Sequence, residues 1–458
     1  MKVTTTTKKI TLFALTWPIF IELLLHMLMG NADTLMLSQY SDNSVAAVGV
    51  ANQIFYVFIV MFGFIAAGTS VLVAQYFGAK QFKEAAEISV VSIAANFVFS
   101  LFLSGIVILF SVNMLKFMDL PTELLDEANS YLKLVGGTAF LQALIMTIGA
   151  IIRSYGYTKD SMYVTIGMNL INVIGNYLFI FGPLGIPVLG VFGVALSTVI
   201  SKAIGLIAIT YLLFKRIDKE LPFKRLFQLP ISHLKNLLRI GVPSAGENLS
   251  YSGSQMVITI FITMIGTEAL TTKVYAHNLM MLISLFSISI AQGTQIIIGQ
   301  MIGARELSKA YITCLKSLNK ALIISFIFAV IFWLSSDPLF SIFTNNLSII
   351  ELGTTLLLLA IILEPGRAFN LIIINALRAT GDVKFPVYMG ILSMWGIAVP
   401  ISYFLGIYLG YGLIGIWIAF ILDEWLRGII MLWRWKTKAW EKKAFIHSQP
   451  KHEVAAST

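Results

Sequence analysis

The 458-residue sequence predicts an all-α integral membrane protein in which twelve transmembrane helices form two six-helix lobes. Three observations predict this fold: the composition, a series of long apolar segments, and an internal repeat. Hydrophobic residues make up 57% of the chain and charged residues 12%, and the mean hydropathy is +0.85. So little polar sequence cannot cover the surface of a water-soluble protein of this size. The composition therefore excludes a water-facing globule.

The apolar segments set the number of spans. A helix needs about 20 apolar residues to cross a bilayer, and twelve segments reach that length between short polar or Gly- and Pro-containing breaks. By residue number, the predicted spans are 10–38, 47–77, 88–113, 130–152, 162–183, 188–214, 237–265, 274–302, 314–335, 352–377, 386–406 and 412–433.

The second half of the chain repeats the first at an offset of 225 residues, which becomes 222 where residues 190–193 align with 412–415. Residues 68–79 (GTSVLVAQYFGA) align with residues 293–304 (GTQIIIGQMIGA). The same offset relates Pro18 to Pro243, Glu22 to Glu247, Arg153 to Arg378 and Gly156 to Gly381. Because each copy holds an even number of spans, both copies insert with the same orientation, around a pseudo-twofold axis along the membrane normal. The cleft between the copies is the natural place for a pathway through the membrane.

The repeat divides the chain into two lobes and two connecting regions. The first lobe is predicted at 1–214 and the second at 237–434. Residues 215–236 form a basic cytoplasmic linker between them. Residues 435–458 form a polar cytoplasmic tail, which we expect to be disordered after Trp440.

The net charge of +9 reflects membrane topology and does not indicate nucleic-acid binding. Most of the 32 Lys and Arg residues lie at the chain ends and in alternate loops, whereas the loops on the opposite side carry only Lys116, Lys133 and Lys273. This positive-inside asymmetry predicts that both termini are cytoplasmic. The single cysteine, Cys314, can form no intramolecular disulfide, and cysteine-based metal sites are excluded.

The first helix carries three ionisable residues on one narrow face. At about 100° per residue, His26 lies about 40° and Asp33 about 20° from Glu22. An ionisable side chain at membrane depth costs several kcal/mol unless it faces a cavity or a partner, so this face is expected to point into the protein. Pro18 lies on the same side and removes a backbone hydrogen bond, which predicts a kink.

Three asparagines in the fifth span are expected to meet this face. Asn169, Asn172 and Asn176 are spaced three and four residues apart, and therefore share one side of their helix. Facing lipid they would be costly, so we expect them to point toward the helix of Asp33 or toward the cavity.

The second lobe does not repeat this cluster, because Ile258 stands at the position that corresponds to Asp33. Glu22 and Glu247 do correspond, and helix packing beside the prolines explains them as well as a cavity role does. The residues predicted to line a central cavity are Glu22, His26, Glu247, Tyr251, Ser254, Glu364 and Arg367.

Charged residues within the spans are mostly acidic. Six acids stand against three bases, which favours an organic cation as the transported compound. Glu364 and Arg367 are three residues apart, and Asp423 and Arg427 are four apart. We expect each of these pairs to neutralise itself within its own helix.

Several motifs are specific enough to indicate a family. They are Trp17-Pro18, Asp33-Thr-Leu-Met-Leu followed by Ala46-Ala-Val-Gly49, both Gly-Thr…Gln…Gly-Ala segments, residues 169–176 (NLINVIGN) and residues 377–382 (LRATGD). With them the sequence resembles, over essentially its whole length, the bacterial MATE family of multidrug and toxic compound extrusion transporters in the MOP superfamily. Members are similar twelve-helix, two-lobed exporters of cationic amphiphilic drugs, driven by inward flow of Na⁺ or H⁺. The resemblance implies that Asp33 is the coupling carboxylate, Pro18 the bending point of its helix, and Asn172 a neighbour in that site.

Two departures from the family concern the coupling ion. Proton-coupled members carry a second aspartate where this chain has Asn176, so a two-carboxylate site is absent from the first lobe. Some Na⁺-coupled members use an acidic residue where Arg367 aligns, so a cation site is not expected there. The sequence leaves the choice between H⁺ and Na⁺ open.

The sequence therefore predicts a monomeric antiporter of the bacterial cell membrane that needs no cofactor or metal. It would export amphipathic, cationic compounds by alternating access, with Asp33 and Asn169, Asn172 and Asn176 in ion coupling. A flippase for a lipid-linked or other amphiphilic metabolite is an alternative, which the small number of bases in the membrane disfavours. A membrane-embedded transferase would need a clustered nucleophile, a metal set or a His/Asp motif, and the sequence has none. The sequence also lacks an ATP-binding motif.

Overall fold

The computed structural model describes residues 11–217, 221–228 and 230–446, and every regular element in them is helical. The helices of the first half are α1 (Leu12–Ser38), α2 (Asp42–Gly78), α3 (Phe82–Phe117), α4 (Leu125–Gly137), α5 (Ala139–Ser154), α6 (Thr158–Phe181) and α7 (Gly190–Arg216). The helices of the second half are α8 (Ile231–Ile265), α9 (Thr267–Gly303), α10 (Leu307–Leu334), α11 (Ser336–Ser341), α12 (Leu347–Thr380), α13 (Lys384–Ser393), α14 (Val399–Tyr403) and α15 (Gly412–Lys436). Short 3₁₀ helices occupy Thr122–Leu124, Pro183–Gly185 and Phe223–Gln228, and π-helical turns occupy Met394–Ala398 and Phe404–Tyr408.

The outer surface of the bundle is apolar. Leu109 on α3 is 75% exposed, Leu249 on α8 is 77% exposed and Phe117 is 90% exposed. Large apolar side chains in such positions would be unfavourable in water and are favourable against lipid tails. The chain is therefore an all-helical membrane protein, as its composition predicts.

The described residues contain nine helices that are long and apolar enough to cross a membrane, or ten if the bent pair α4 and α5 forms one span. The sequence predicts twelve. The other two long helices, α8 and α15, have 35 and 25 residues but a more polar composition. In α15 this is due to Asp423, Glu424 and Arg427, whose partners lie within the protein.

The fourth predicted span, 130–152, is bent in the structure. Helices α4 and α5 meet at an angle of 41°. Gly136, Gly137 and Thr138 lie at the junction, and paired glycines weaken a helix because they gain much conformational freedom when it opens.

The two halves of the chain meet at one end of the bundle. This end carries the turns that contain Lys80 and Arg305 and is called the basic end below. Here α2 and α9 cross at Gly78 and Gly303. A Cβ on Gly78 would lie 2.0 Å from the carbonyl oxygen of Gln300, and a Cβ on Gly303 would lie 1.9 Å from that of Gln75. Only glycine allows the two backbones to come this close.

Two hydrogen bonds between the lobes flank this crossing. The amide of Gln75 donates to the carbonyl of Ala379 at 2.7 Å, and the amide of Gln300 donates to the carbonyl of Ser154 at 2.8 Å. The repeat offset relates Gln75 to Gln300 and Ser154 to Ala379, just as it relates the two glycines. The contacts therefore have the pseudo-twofold symmetry that the repeat predicts.

The C-terminal segment, defined as residues 437–446, packs against this end of the protein. Trp440 stacks on Trp435 with ring centroids 4.4 Å apart, and Phe445 is buried among residues of both lobes. The backbone N–H of Phe445 donates to Oε1 of Gln75 at 3.0 Å. The expectation of disorder directly after Trp440 is thus wrong for residues 441–446, because an aromatic side chain anchors this polar stretch. Residues 447–458 lie outside the described residues.

Replacing Phe445 with alanine is expected to release the C-terminal segment. Burying a phenylalanine contributes about 3–5 kcal/mol in a well-packed core, and a short terminal segment has few other contacts to hold it. Trypsin cleavage after Lys442 and Lys443 should become at least about tenfold faster. The half-buried neighbour provides a control as Ile446→Ala. Equal cleavage rates for the wild type and Phe445→Ala would show that Phe445 is not the anchor.

Helix α8 begins at Ile231, so the helical part of the second lobe starts before the predicted boundary at 237. Helix α7 ends at Arg216, close to the predicted end of the first lobe.

Candidate functional site

Asp33 lies in the half of α1 that is remote from the basic end, and its residue exposure is 7%. Asn176 on α6 donates from Nδ2 to Oδ1 of Asp33 at 2.5 Å. Asn172 is fully buried one turn earlier, donates to Oγ1 of Thr198 on α7 at 3.2 Å, and offers its Oδ1 to Asn176 at 3.5 Å. The structure therefore brings Asn172 and Asn176 to Asp33.

The third asparagine of the predicted row does not join this group. Nδ2 of Asn169 donates to the carbonyl of Thr165, one turn earlier in the same helix, at 2.8 Å. Asparagine side chains readily form such local hydrogen bonds to the backbone. The structure thus gives Asn169 no contact with Asp33.

The proline of α1 leaves a carbonyl free for another helix. Helix α1 continues through Pro18 without interruption. Because proline has no N–H, it cannot bond the carbonyl of Ala14, and the hydroxyl of Thr158 on α6 donates to that carbonyl at 3.3 Å. Pro18 is thus also the place where α1 depends on α6 for a backbone partner.

Lys202 on α7 completes the surroundings of Asp33. Its residue exposure is 8%, its ammonium lies 4.8 Å from the centroid of the Phe55 ring, and its charge interacts with that of Asp33. The sequence identifies Lys202 as a buried base but does not connect it with Asp33, because the two are distant along the chain. The sequence does contain one indication of this placement. Lys202 follows Thr198 by four residues, so both lie on the face of α7 that contacts Asn172.

Glu22 and Glu247 do not stand free in a cavity. Glu22 pairs with Arg153 of α5 at 2.6 Å, and Glu247 pairs with Arg378 of α12. The side chains of both glutamates are 11% exposed or less, and those of both arginines 20% or less. These are two copies of one ion pair between helices, and the helix-packing interpretation fits them. The repeat in the sequence identifies all four residues, but it does not show that each glutamate forms an ion pair with an arginine.

Replacing Arg378 with glutamine is expected to destabilise the protein by about 3–5 kcal/mol, because it leaves Glu247 buried without its counter-charge. Removing both charges in Glu247→Gln/Arg378→Gln should restore most of that loss. Thermal unfolding of detergent-purified protein measures the difference, and Arg305→Gln at an exposed turn is the control. A double variant no more stable than Arg378→Gln would contradict the assignment.

The second lobe holds a larger charged network. Glu364 pairs with Arg367 at 2.5 Å, and Ser284 contacts both of them at 2.9 Å. Asp423 pairs with Arg427 at 3.0 Å. Both local pairs that the spacing predicts are thus confirmed.

Glu424 extends this network. It contacts Arg427 at 3.1 Å and accepts a hydrogen bond from Asn370 at 2.8 Å. Tyr251 on α8 lies close enough to interact with the charges of Arg367 and Glu424. Ser254, by contrast, donates to the backbone carbonyl of Tyr251 at 2.8 Å and stays within its own helix.

The near balance of buried charge corrects the predicted excess of acids. The predicted spans 130–152 and 352–377 end one residue before Arg153 and Arg378, and both arginines pair with acids inside the bundle. The first lobe therefore holds Glu22 and Asp33 with Arg153 and Lys202, and the second holds Glu247, Glu364, Asp423 and Glu424 with Arg367, Arg378 and Arg427. Among the described residues within the bundle, six acids thus face five bases rather than three, and the surplus negative charge lies in the second lobe.

His26 is half-buried on α1, and its ring interacts with the charges of Glu22, Arg153 and Lys202. It therefore lies between the Glu22 ion pair and the group around Asp33. In the described part of the chain, no three His, Cys, Asp or Glu side chains are arranged to hold a metal ion.

Known proteins match the chain over most of its length. The family model described as MatE matches residues 18–178 and 243–404, and the two matches begin at the corresponding prolines of the repeat. The uncharacterized transporter YisQ of Bacillus subtilis is 55% identical, over 95% of this chain and 96% of its own. The probable multidrug resistance protein NorM of Thermotoga maritima is 30% identical, over 95% of this chain and 94% of its own. A solved structure, described as the outward-facing conformation of a multidrug resistance MATE family transporter of the MOP superfamily, is 22% identical with a TM-score of 0.86, over 94% of this chain and 96% of its own.

Proposed function

Because this chain belongs to the MATE family of membrane transporters, we propose that it is an antiporter that exports amphipathic, cationic small molecules in exchange for H⁺ or Na⁺. The observation that carries the proposal is the group around Asp33. A carboxylate buried inside a membrane helix is costly, and such residues mark ion pathways. Asp33 has an amide partner, Asn176, on a neighbouring helix, and Ile258 takes its place in the second lobe. The chain is a transporter and not an enzyme.

The coupling step is a competition between ion and substrate for the charge of Asp33. When Asp33 is ionised, it accepts a charge-assisted hydrogen bond from Asn176 that ties α1 to α6. Neutralising Asp33 weakens this tie and lets α1 bend at Pro18, where its backbone depends on Thr158. Alternating access then requires the lobes to open and close at the basic end, which lies on the cytoplasmic side of a bacterial cell membrane.

With one ion per substrate the gradient of the ion itself must drive transport, because exchange of one monovalent cation for one H⁺ or Na⁺ moves no net charge across the membrane. A tenfold ion gradient supplies about 1.4 kcal/mol, which supports about a tenfold concentration ratio of substrate. The surplus acid of the second lobe, with Glu424 beside Tyr251, supports a cationic substrate. The relative named a probable multidrug resistance protein supports an amphipathic one.

Dye transport in everted membrane vesicles tests the proposed function. Vesicles that contain the protein should accumulate ethidium when a pH or a Na⁺ gradient is imposed, and collapsing the effective gradient should abolish the accumulation. Vesicles without the protein are the control. Accumulation that persists with both gradients collapsed, or that never exceeds the control, would contradict ion-coupled antiport.

A further inference from the structure

Lys202 is a buried residue whose ammonium group has no polar partner among the described residues. Within the described ranges of the chain it forms no ion pair and no hydrogen bond, and its close contact is the ring of Phe55. A charged group in such a position is costly, since transfer from water to a low-dielectric interior removes its hydration. A compensating interaction is therefore expected, and Asp33 carries the opposite charge that interacts with it.

The polar atoms around Asp33 are suited to a cation. Oδ1 of Asn176 is buried and has no hydrogen-bond partner, although Nδ2 of the same amide holds Asp33. A carboxylate and an unpaired amide oxygen are the oxygen ligands that a hard cation would use. The same two oxygens could accept hydrogen bonds from an ammonium group.

The titratable groups that face this space come from three helices. Helix α1 contributes Asp33 and His26, α7 contributes Lys202, and α4 contributes Tyr131, whose hydroxyl donates to Asn52 of α2 at 3.1 Å. The groups that α2 and α6 place beside them are uncharged amides and the Phe55 ring. Lys202 contributes the positive charge that faces Asp33 in this group.

We propose that Lys202 acts as a tethered cation for the first-lobe site, so that Asp33 exchanges a proton and does not bind Na⁺. The proposal rests on the proposed function and specifies its coupling ion. A sodium ion beside Asp33 would be repelled by the ammonium, whose charge already interacts with that of Asp33, and this repulsion weakens binding by at least about tenfold in a protein interior. A proton meets no such competition, because it forms a covalent bond to the carboxylate oxygen and leaves no separate ion to be coordinated.

The same charge makes proton and substrate exclude each other. With Asp33 ionised, Asp33 and Lys202 together are neutral. With Asp33 protonated, the net charge is +1, and a cationic substrate is repelled. Protonation thus expels the substrate, and substrate binding favours release of the proton, as reciprocal linkage requires.

Removing the charge of Lys202 tests the proposal. Thermal unfolding of purified protein is compared in NaCl and in choline chloride, because a cation that binds only the folded state raises the unfolding temperature. The wild type and the exposed-site control Lys133→Met should unfold at the same temperature in both salts. Lys202→Met should gain Na⁺-dependent stabilisation, with Na⁺ affinity at least about tenfold higher than in the wild type. Lys202→Arg keeps the charge and should behave as the wild type.

Ethidium transport by the same proteins in proteoliposomes distinguishes a failure of the Lys202 proposal from a failure of the antiport proposal. Wild-type ethidium transport should respond to a pH gradient and not to a Na⁺ gradient. A response of the wild type to Na⁺ alone would overturn the role of Lys202 and leave antiport standing. A response to neither gradient would overturn both. If Lys202→Met does not fold, Lys202→Gln replaces it, and the absence of any gain in Na⁺ binding in the folded variant would overturn the proposal.

Discussion

Asp33→Asn is expected to reduce ion-driven export to the level of protein-free vesicles while the protein stays folded. The introduced amide has nearly the same shape and can still accept a hydrogen bond from Asn176, which keeps the site satisfied although this neutral bond ties α1 to α6 more weakly than the carboxylate does. It cannot take up a proton or balance a cation, so it has no charge to exchange. Ethidium accumulation in proteoliposomes under an imposed gradient measures the effect.

Asp119→Asn is the matched control for this prediction. Asp119 is exposed in the turn after α3 and has a positive φ of 55°, a conformation that asparagine adopts readily. The control should transport as the wild type does. Gradient-driven accumulation by Asp33→Asn above the protein-free background would show that the coupling charge lies elsewhere.

Gly303→Ala is expected to prevent the lobes from closing at the basic end. The added Cβ would lie 1.9 Å from the backbone oxygen of Gln75, and no rotamer change can relieve a contact with backbone. The crossing of α2 and α9 must then widen by more than about 1 Å, which breaks the flanking hydrogen bonds to Ala379 and Ser154. Transport should fall strongly, because each cycle includes closure at this end.

Cysteine labelling measures this opening directly. In a Cys314→Ala background, Ser154→Cys places a thiol at the buried contact, where maleimide should react slowly. Adding Gly303→Ala should raise the labelling rate at least about tenfold. Gly105→Ala is the control, because a Cβ at Gly105 meets nothing within 4 Å. Unchanged labelling and transport in Gly303→Ala would mean that close approach of the lobes is not required.

The fold was predictable where the signal is periodic or repeated. The apolar segments and the regular offset between the two copies, 225 residues and later 222, define the helices and the two lobes, and spacing along one helix predicts the Glu364–Arg367 and Asp423–Arg427 pairs. These features depend on residues close in sequence or on comparison of the chain with itself. The bend between α4 and α5 depends on local glycine chemistry that an average over a whole segment conceals.

Contacts between different helices were the part that the sequence could not supply. The faces of α1 and α6 bring Asp33 and Asn176 together, but nothing along the chain says which helices are neighbours. Arg153 and Arg378 lie just beyond the predicted spans, so their ion pairs with the two glutamates were missed. Leaving out these two arginines gave six acids and three bases within the membrane, whereas the described part of the bundle has six acids and five bases.

The charge balance changes how the transport site is understood. The buried charges Glu22, Asp33, Arg153 and Lys202 of the first lobe balance when Asp33 is ionised, and the surplus buried acid belongs to the second lobe. The second lobe thus adds negative charge that attracts a cationic substrate, while Asp33 of the first lobe supplies the charge for which ion and substrate compete. The symmetric ion pairs and the glycine crossing form a shared frame, whereas Ile258 stands in the second lobe where the first lobe has Asp33.

Proton release on substrate binding is the most direct test of competition between proton and substrate at Asp33. Tetraphenylphosphonium is added to detergent-purified protein in weak buffer near neutral pH, and the released protons and the bound cation are measured together. The wild type should release up to about one proton per substrate bound, and Asp33→Asn should release none. Substrate binding by the wild type without proton release, or undiminished release from Asp33→Asn, would contradict competition between proton and substrate at Asp33.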